Sequence, residues 1–171
     1  TKVNICATRG AYRNVMGKCR KIRIKTTKSI KFMRIIALRG KENSGKSHVI
    51  NITYQLLLSS GWTQVAGNFR ILGNPKYEDI IDILEKDNVL IGIIGAGDYQ
   101  IGEISLKKLI RELEDKNCDI VVCACRTNPK IEKAITNYDN HNWIDKTISN
   151  GNANDRIVNN IDAIKIINQI L

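Results

Sequence analysis

The sequence predicts an α/β fold: a three-layer sandwich built on a mainly parallel sheet of about five strands. Three observations predict it. From residue 34 onward, short β-rich apolar runs alternate with segments of helical period, the pattern of a parallel sheet with crossover helices. The first of these runs enters its helix through a glycine loop. Isoleucine supplies much of the apolar content and aromatic residues are only 5% of the chain, which suits buried strands packed under helices.

The first strand is expected at 34–38, where Arg34-Ile35-Ile36-Ala37-Leu38 forms a short buried run. Behind it, Gly40-Lys41-Glu42-Asn43-Ser44-Gly45-Lys46-Ser47 is a complete G-x-x-x-x-G-K-[ST] motif. Gly40 and Gly45 permit backbone angles and a close approach that a Cβ would forbid. Inward N–H groups, helped by the positive end of the next helix, suit phosphate oxygens. Lys46 would place its ammonium on the β- and γ-phosphates, and the Ser47 hydroxyl would coordinate Mg²⁺. Val49, Ile50, Ile52, Thr53, Leu56 and Leu57 recur at helical spacing, predicting a helix over 46–59 that Gly61 stops.

The remaining elements follow in order. A second strand is expected at 62–66, then a loop over 67–76 and a helix over 77–86. The third strand, 89–94, ends at Gly95-Ala96-Gly97-Asp98. Leu106, Leu109, Ile110 and Leu113 give one apolar face to a helix over 104–116. A fourth strand is read at 119–125, a short helix near 131–136, and a polar loop over 137–143. A fifth strand over 143–148 and a closing helix over 157–170 complete the pattern.

Motif and context together resemble the P-loop NTPase superfamily, with the P-loop after the first strand of a domain spanning 33–171. The resemblance implies a parallel sheet flanked by helices, Mg-nucleotide binding, and phosphoryl transfer or hydrolysis. The nucleotide-binding residues it implies are Gly40, Lys41, Glu42, Asn43, Ser44, Gly45, Lys46 and Ser47, with His48 beside them. Ligands in such sheets bind outside the carboxyl ends of strands. Asp98 stands there, after the third strand, where a P-loop protein keeps an acid that holds Mg²⁺ through water. Asp119 adjoins the amino end of its strand, the wrong side. Glu103 could orient water or a hydroxyl, or simply favour a helix start. Arg126 and Asn128, beyond the fourth strand, stand where this architecture often grips the base, and Arg126 could also approach the phosphates. Arg70 faces the region expected for a second substrate.

Departures from known patterns narrow the class. After the fourth strand the text is Arg126-Thr127-Asn128-Pro129, not the Asn-Lys-x-Asp of Ras-type GTPases. No Leu-Ser-Gly-Gly-Gln signature of transporter-type ATPases occurs, and ring-forming motors need a larger domain. Size and strand pattern look most like small nucleotide and metabolite kinases. Against that, Gly67-Asn68-Phe69 stands where an acid often ends the second strand, and an Arg-rich lid is missing. Two functions stay open. One is an enzyme, a Mg-dependent ATPase or small-molecule kinase acting on ATP or another NTP, with Lys46, Asp98 and Glu103 in catalytic roles. The other is a low-turnover nucleotide-binding switch or a partner- or nucleic-acid-binding module.

Charge divides the chain. Residues 1–32 hold ten Lys or Arg and no acid, whereas the 17 basic residues beyond them balance 17 acids. This basic leader reads three ways: a nucleic-acid or acidic-surface arm, an organellar targeting peptide, or an extension upstream of a natural start at Met33. Nucleic acid is therefore expected as a partner only through residues 1–32. No apolar run approaches the roughly eighteen residues needed to cross a membrane. Five cysteines, an odd number, without a secretory pattern point to reduced thiols and a cytoplasmic protein.

Overall fold

The computed structural model describes residues 33–73, 79–98, 102–149 and 151–171, and the basic leader of residues 1–32 lies outside them. β1 (Arg34–Gly40) leads through the glycine loop into α1 (Lys46–Ser59). Two very short strands follow, β2 (Thr63–Gln64) and β3 (Arg70–Ile71), then a hairpin of β4 (Ile80–Lys86) and β5 (Val89–Ile94). The chain continues through α2 (Leu106–Asp115), β6 (Ile120–Arg126), α3 (Pro129–Thr136), β7 (His141–Asp145) and α4 (Asn152–Ile170).

The sheet runs β2-β4-β5-β6-β1-β7, with β3 also on β4. β5, β6, β1 and β7 are mutually parallel. β4 runs against β5, and β2 and β3 run against β4. The fold is thus α/β, but its sheet is mixed and has seven strands among the described residues, rather than being mainly parallel with about five. Strands buried on both faces demand helices on both. Ile36, Leu38, Val122 and Ala124 pack against Val49 and Ile50 of α1 and Ala163 and Ile166 of α4. Ile35, Ala37, Val121 and Cys123 face Leu109 of α2 and Ile131 of α3.

The largest correction concerns residues 77–86, expected as a helix. Residues 74–78 lie outside the described residues, and from Ile80 the chain is a strand. Ile80, Asp82 and Leu84 point to the α1 face while Ile81 and Ile83 point to the α2 face, so both period-2 sets are buried. β-branched side chains buried on both faces favour the strand. Asp87 and Asn88, at φ 51° and 63°, make the two-residue turn that reverses β4 into β5. The strand expected at 62–66 shrinks to Thr63–Gln64 at the sheet edge, antiparallel to β4. His141 and Asn142, expected in a loop, begin β7, which ends at Asp145 rather than at 148. α4 begins at Asn152, a turn before the expected start. Cys118, Cys123 and Cys125 are buried, and burial pushes the Cys125 thiol up to about 12. Among the described residues no helix is long and apolar enough to cross a membrane.

A buried polar network ties α1 to the antiparallel strand. Tyr54 donates from its hydroxyl to Asp82 Oδ2 at 2.8 Å, and Gln64 of β2 donates to the same oxygen at 2.9 Å. The Ile83 N–H donates to Asp82 Oδ1 at 2.8 Å. Tyr54→Phe keeps the volume but removes one donor to a buried carboxylate, so a loss of about 1–3 kcal/mol is expected in a denaturant titration. A second tether is Arg70, which forks onto Glu112 of α2, with Lys116 on the same carboxylate. Arg70 is therefore an inter-element brace rather than free toward a second substrate. Its hydrogen bond, against some opposing burial, holds the Glu112 carboxyl down at about 2, from an ordinary 4.5. A depressed carboxyl stabilises the fold above its unfolded value and loses that contribution as pH falls toward 2. Thermal unfolding from pH 5 to pH 2 should consequently fall less steeply for Glu112→Gln than for the parent chain.

Candidate functional site

The carboxyl ends of β7, β1, β6 and β5 are joined by backbone hydrogen bonds just where the regular strands finish. Lys146 N–H donates to Arg39 O, Thr127 N–H to Gly40 O, and Arg126 N–H to Gly97 O. The glycine loop rises from the middle of this edge. Gly45 at φ 83° caps the start of α1, and no side chain caps that end. The first N–H groups of α1 therefore have no side-chain acceptor. Gly40 is fixed by crowding: a Cβ there would stand 2.8 Å from Lys146 Cβ and 2.9 Å from Ser44 Oγ.

The loop closes around one carbonyl. Lys41 O accepts from Ser44 Oγ at 2.8 Å and from Lys46 Nζ at 2.7 Å. Lys46, the first residue of α1, is only 4% exposed, so its ammonium is turned into the loop rather than out to water. It also lies 3.6 Å from Asp98 Oδ1, across the width of β6. Lys46, Ser47 and Asp98, singled out from the sequence, thus stand together at one edge. Asp119 stands at the other end of its strand, where its carboxylate accepts from the Leu90 N–H at 2.8 Å.

The other expected residues are placed less centrally. Glu42 leaves the loop sideways to pair with Arg126, the last residue of β6, at 2.5 Å. That contact draws Arg126 toward the loop. Asn128 is spent as the cap of α3, accepting from the Lys130 N–H. Glu103 is exposed and pairs with Lys108; it stands ahead of Ser105, the cap of α2, and outside that helix's first turn. His48 sits exposed on the first turn of α1. Asn43, at φ 54°, lies on the exposed rim of the loop.

Two features of this edge escape the sequence reading. The first is Asp79, immediately before β4. Because β4 runs against its neighbours, its amino end lies with their carboxyl ends. Asp79 is 8% exposed and receives a hydrogen bond from the Ser47 hydroxyl. Burial raises its pKa, the Ser47 bond lowers it, the charge of Asp98 raises it and that of Lys46 lowers it; the balance is upward. Its Oδ1 is buried with no hydrogen-bond partner. The signal for Asp79 was the Asp-Asn turn after Lys86, which marks a hairpin and with it the direction of β4.

The second is a buried lysine behind the loop. Lys146 packs its stem on Gly40, donates to Thr147 O at 2.6 Å, and lies 3.2 Å from Asp162 Oδ2 of α4. Asp162 also accepts from Thr147 N–H, Thr147 Oγ1 and Lys165 Nζ. Burial pushes its carboxyl up, but the hydrogen bonds from Lys165, Thr147 and Lys146 outweigh that and hold it down.

Chemically, the edge offers a buried ammonium, an uncapped helix start, a hydroxyl and two carboxylates. Among the described residues no three His, Cys, Asp or Glu side chains gather as a self-sufficient metal site. A divalent cation here would need further oxygens from a ligand or water. Compared with protein-family models, curated proteins and solved structures, the chain matches none. The brace behind the loop is directly testable: Asp162→Ala strips the buried Lys146 ammonium of its carboxylate. A loss of about 3–5 kcal/mol is expected by chemical denaturation.

Proposed function

We propose that the chain is a P-loop nucleotide-binding protein that takes a Mg-nucleoside triphosphate, ATP first among them, and transfers or hydrolyses its terminal phosphoryl group. One observation carries the reading: the Lys46 ammonium is buried inside the loop of the motif and faces Asp98 across the sheet edge. A buried lysine held, among the described residues, by a carbonyl and a half-exposed carboxylate is poised to exchange them for phosphate oxygens. Loop N–H groups and the uncapped start of α1 would add partial positive charge along the same path.

Magnesium, which the resemblance implies, takes oxygen donors, and the donor set fits. Ser47 and Asp98 would hold it, and the orphaned Asp79 oxygen is a further acceptor beside them. When bound, the ion supplies charge neutralisation and alignment of the phosphates. The chain itself supplies the rest. Lys46 draws charge away from the bridging oxygens, and Arg126, once parted from Glu42, presents a guanidinium over the loop. The engagement of Glu103 by Lys108 favours a second reading, a nucleotide-binding switch with slow turnover, because the residue expected to orient the attacking hydroxyl or water is then paired elsewhere.

The test is a thermal-shift panel on the full chain with Mg²⁺ and ATP, GTP or deoxynucleotides, alongside phosphate release. At a hundredfold excess over Kd, binding should stabilise the parent by about 2.7 kcal/mol. Lys46→Ala should abolish both the shift and any release. No shift with any nucleotide would sink the proposal; a shift without release would select the switch.

A further inference from the structure

We infer that Asp79, delivered by a strand that runs against β5, is a positioning residue for the divalent cation of this site. The inference rests on the nucleotide reading above and deepens it, since neither the motif nor the resemblance assigns a role to this residue.

Three observations converge. Asp79 is more than nine-tenths buried, yet its Oδ1 has no hydrogen-bond partner. A buried acceptor left unpaired is costly, and such groups persist where something else completes them. Its surroundings are those of the site: the Ser47 hydroxyl, with Asp98 and Lys46 near enough to act on its charge. Finally, the direction of the Ser47 bond is informative. The hydroxyl donates its only proton to Asp79, which leaves the Ser47 lone pairs free for a cation. One carboxylate oxygen thereby orients the Ser47 ligand. The orphan oxygen, in turn, can accept from a water on the same ion. Residues behind metal ligands that fix their orientation are worth roughly ten- to a hundredfold in metal affinity.

Placement is also accounted for. Ser47 and Tyr54 lie seven residues apart on α1, two turns along one face. Tyr54 grips Asp82 inside β4, and the chain just ahead of that strand brings Asp79 to Ser47. The two contacts hold the antiparallel strand to the helix at two points.

The experiment titrates Mg²⁺ into full-length protein with saturating ATP and reads the melting temperature, for the parent, Asp79→Asn and Lys46→Ala. Binding of Mn²⁺ by electron paramagnetic resonance, with a non-hydrolysable ATP analogue present, gives a second readout. Asp79→Asn should raise the half-saturating Mg²⁺ and Mn²⁺ concentrations about ten- to a hundredfold. Its shift with ATP in excess EDTA should match the parent's, and its ligand-free melting temperature should not fall. A cation requirement within twofold of the parent would overturn the inference, as would a lower ligand-free melting temperature with that requirement unchanged. If no nucleoside triphosphate shifts the parent, or Lys46→Ala keeps the shift, the nucleotide reading itself fails and takes this one with it. Loss of the shift in Lys46→Ala with an unmoved cation requirement in Asp79→Asn sinks the role of Asp79 alone.

Discussion

Gly97 lies with its backbone against the peptide joining Ala124 and Cys125, and the arrangement of the edge depends on that contact. A Cβ at Gly97 would sit 2.5 Å from Ala124 C and O, closer than any side chain tolerates. Only glycine lets the chain beyond β5 lie this close to β6, where Gly97 O accepts from the Arg126 N–H at 3.0 Å. The consequence is positional. β1 and β5 are separated by β6, a gap of roughly 10 Å between strand axes. Because the extension of β5 is pinned to β6, Asp98 stops beside the Lys46 ammonium instead of drifting into solvent. Gly95 plays a similar part on the other side, where its N–H donates to Ile80 O and a Cβ would meet the Ile80 nitrogen at 2.9 Å.

Around this frame the protein buries an unusual share of charge: Lys46, Asp79, Asp82, Lys146 and Asp162 are all withdrawn from water. They are not equivalent. Asp82 and Asp162 are surrounded by donors, and their hydrogen bonds offset the cost of desolvation. Asp79 and Lys46 keep spare capacity, one with an unpartnered oxygen and the other held by a carbonyl and a half-exposed carboxylate. Fully satisfied groups make scaffold; partly satisfied ones, side by side at a strand edge, make a site. The scaffold groups lie on either side of the site, Asp82 within β4 under α1 and Asp162 with Lys146 behind the loop under α4.

How much of this is legible in the sequence depends on how local the cause is. Residues 34–59 can be read directly, since glycines at fixed spacing and a clean helical period act within a few residues of one another. β4 cannot, because Ile80, Ile81, Ile83 and Leu84 fall at spacings that a helix face and a doubly buried strand share. That ambiguity carries over to the site. Looking for polar residues at strand carboxyl ends finds Asp98 but passes over Asp79, which reaches the same edge from an amino end. Lys146 has no local signal at all: its burial is created by Asp162, a helix away in the chain. Glu103 shows the opposite case, a plausible position in sequence whose neighbour Lys108 claims it in space.

The way β2 and β3 share the flank of β4 has a bearing on self-association. A seven-residue strand rich in isoleucine, left bare along one side, would offer a ready template for another chain. Here two pieces of two residues each occupy separate stretches of that side, Thr63–Gln64 against Leu84 and Glu85, and Arg70–Ile71 against Ile80 and Ile81. Neither piece is long enough to propagate a ladder of its own, and each is held by a side chain to another element, Gln64 to Tyr54 and Arg70 to Glu112. The border of the sheet thus ends in fragments rather than in a continuous strand, which guards a reversed and strongly apolar segment against fibrillar growth.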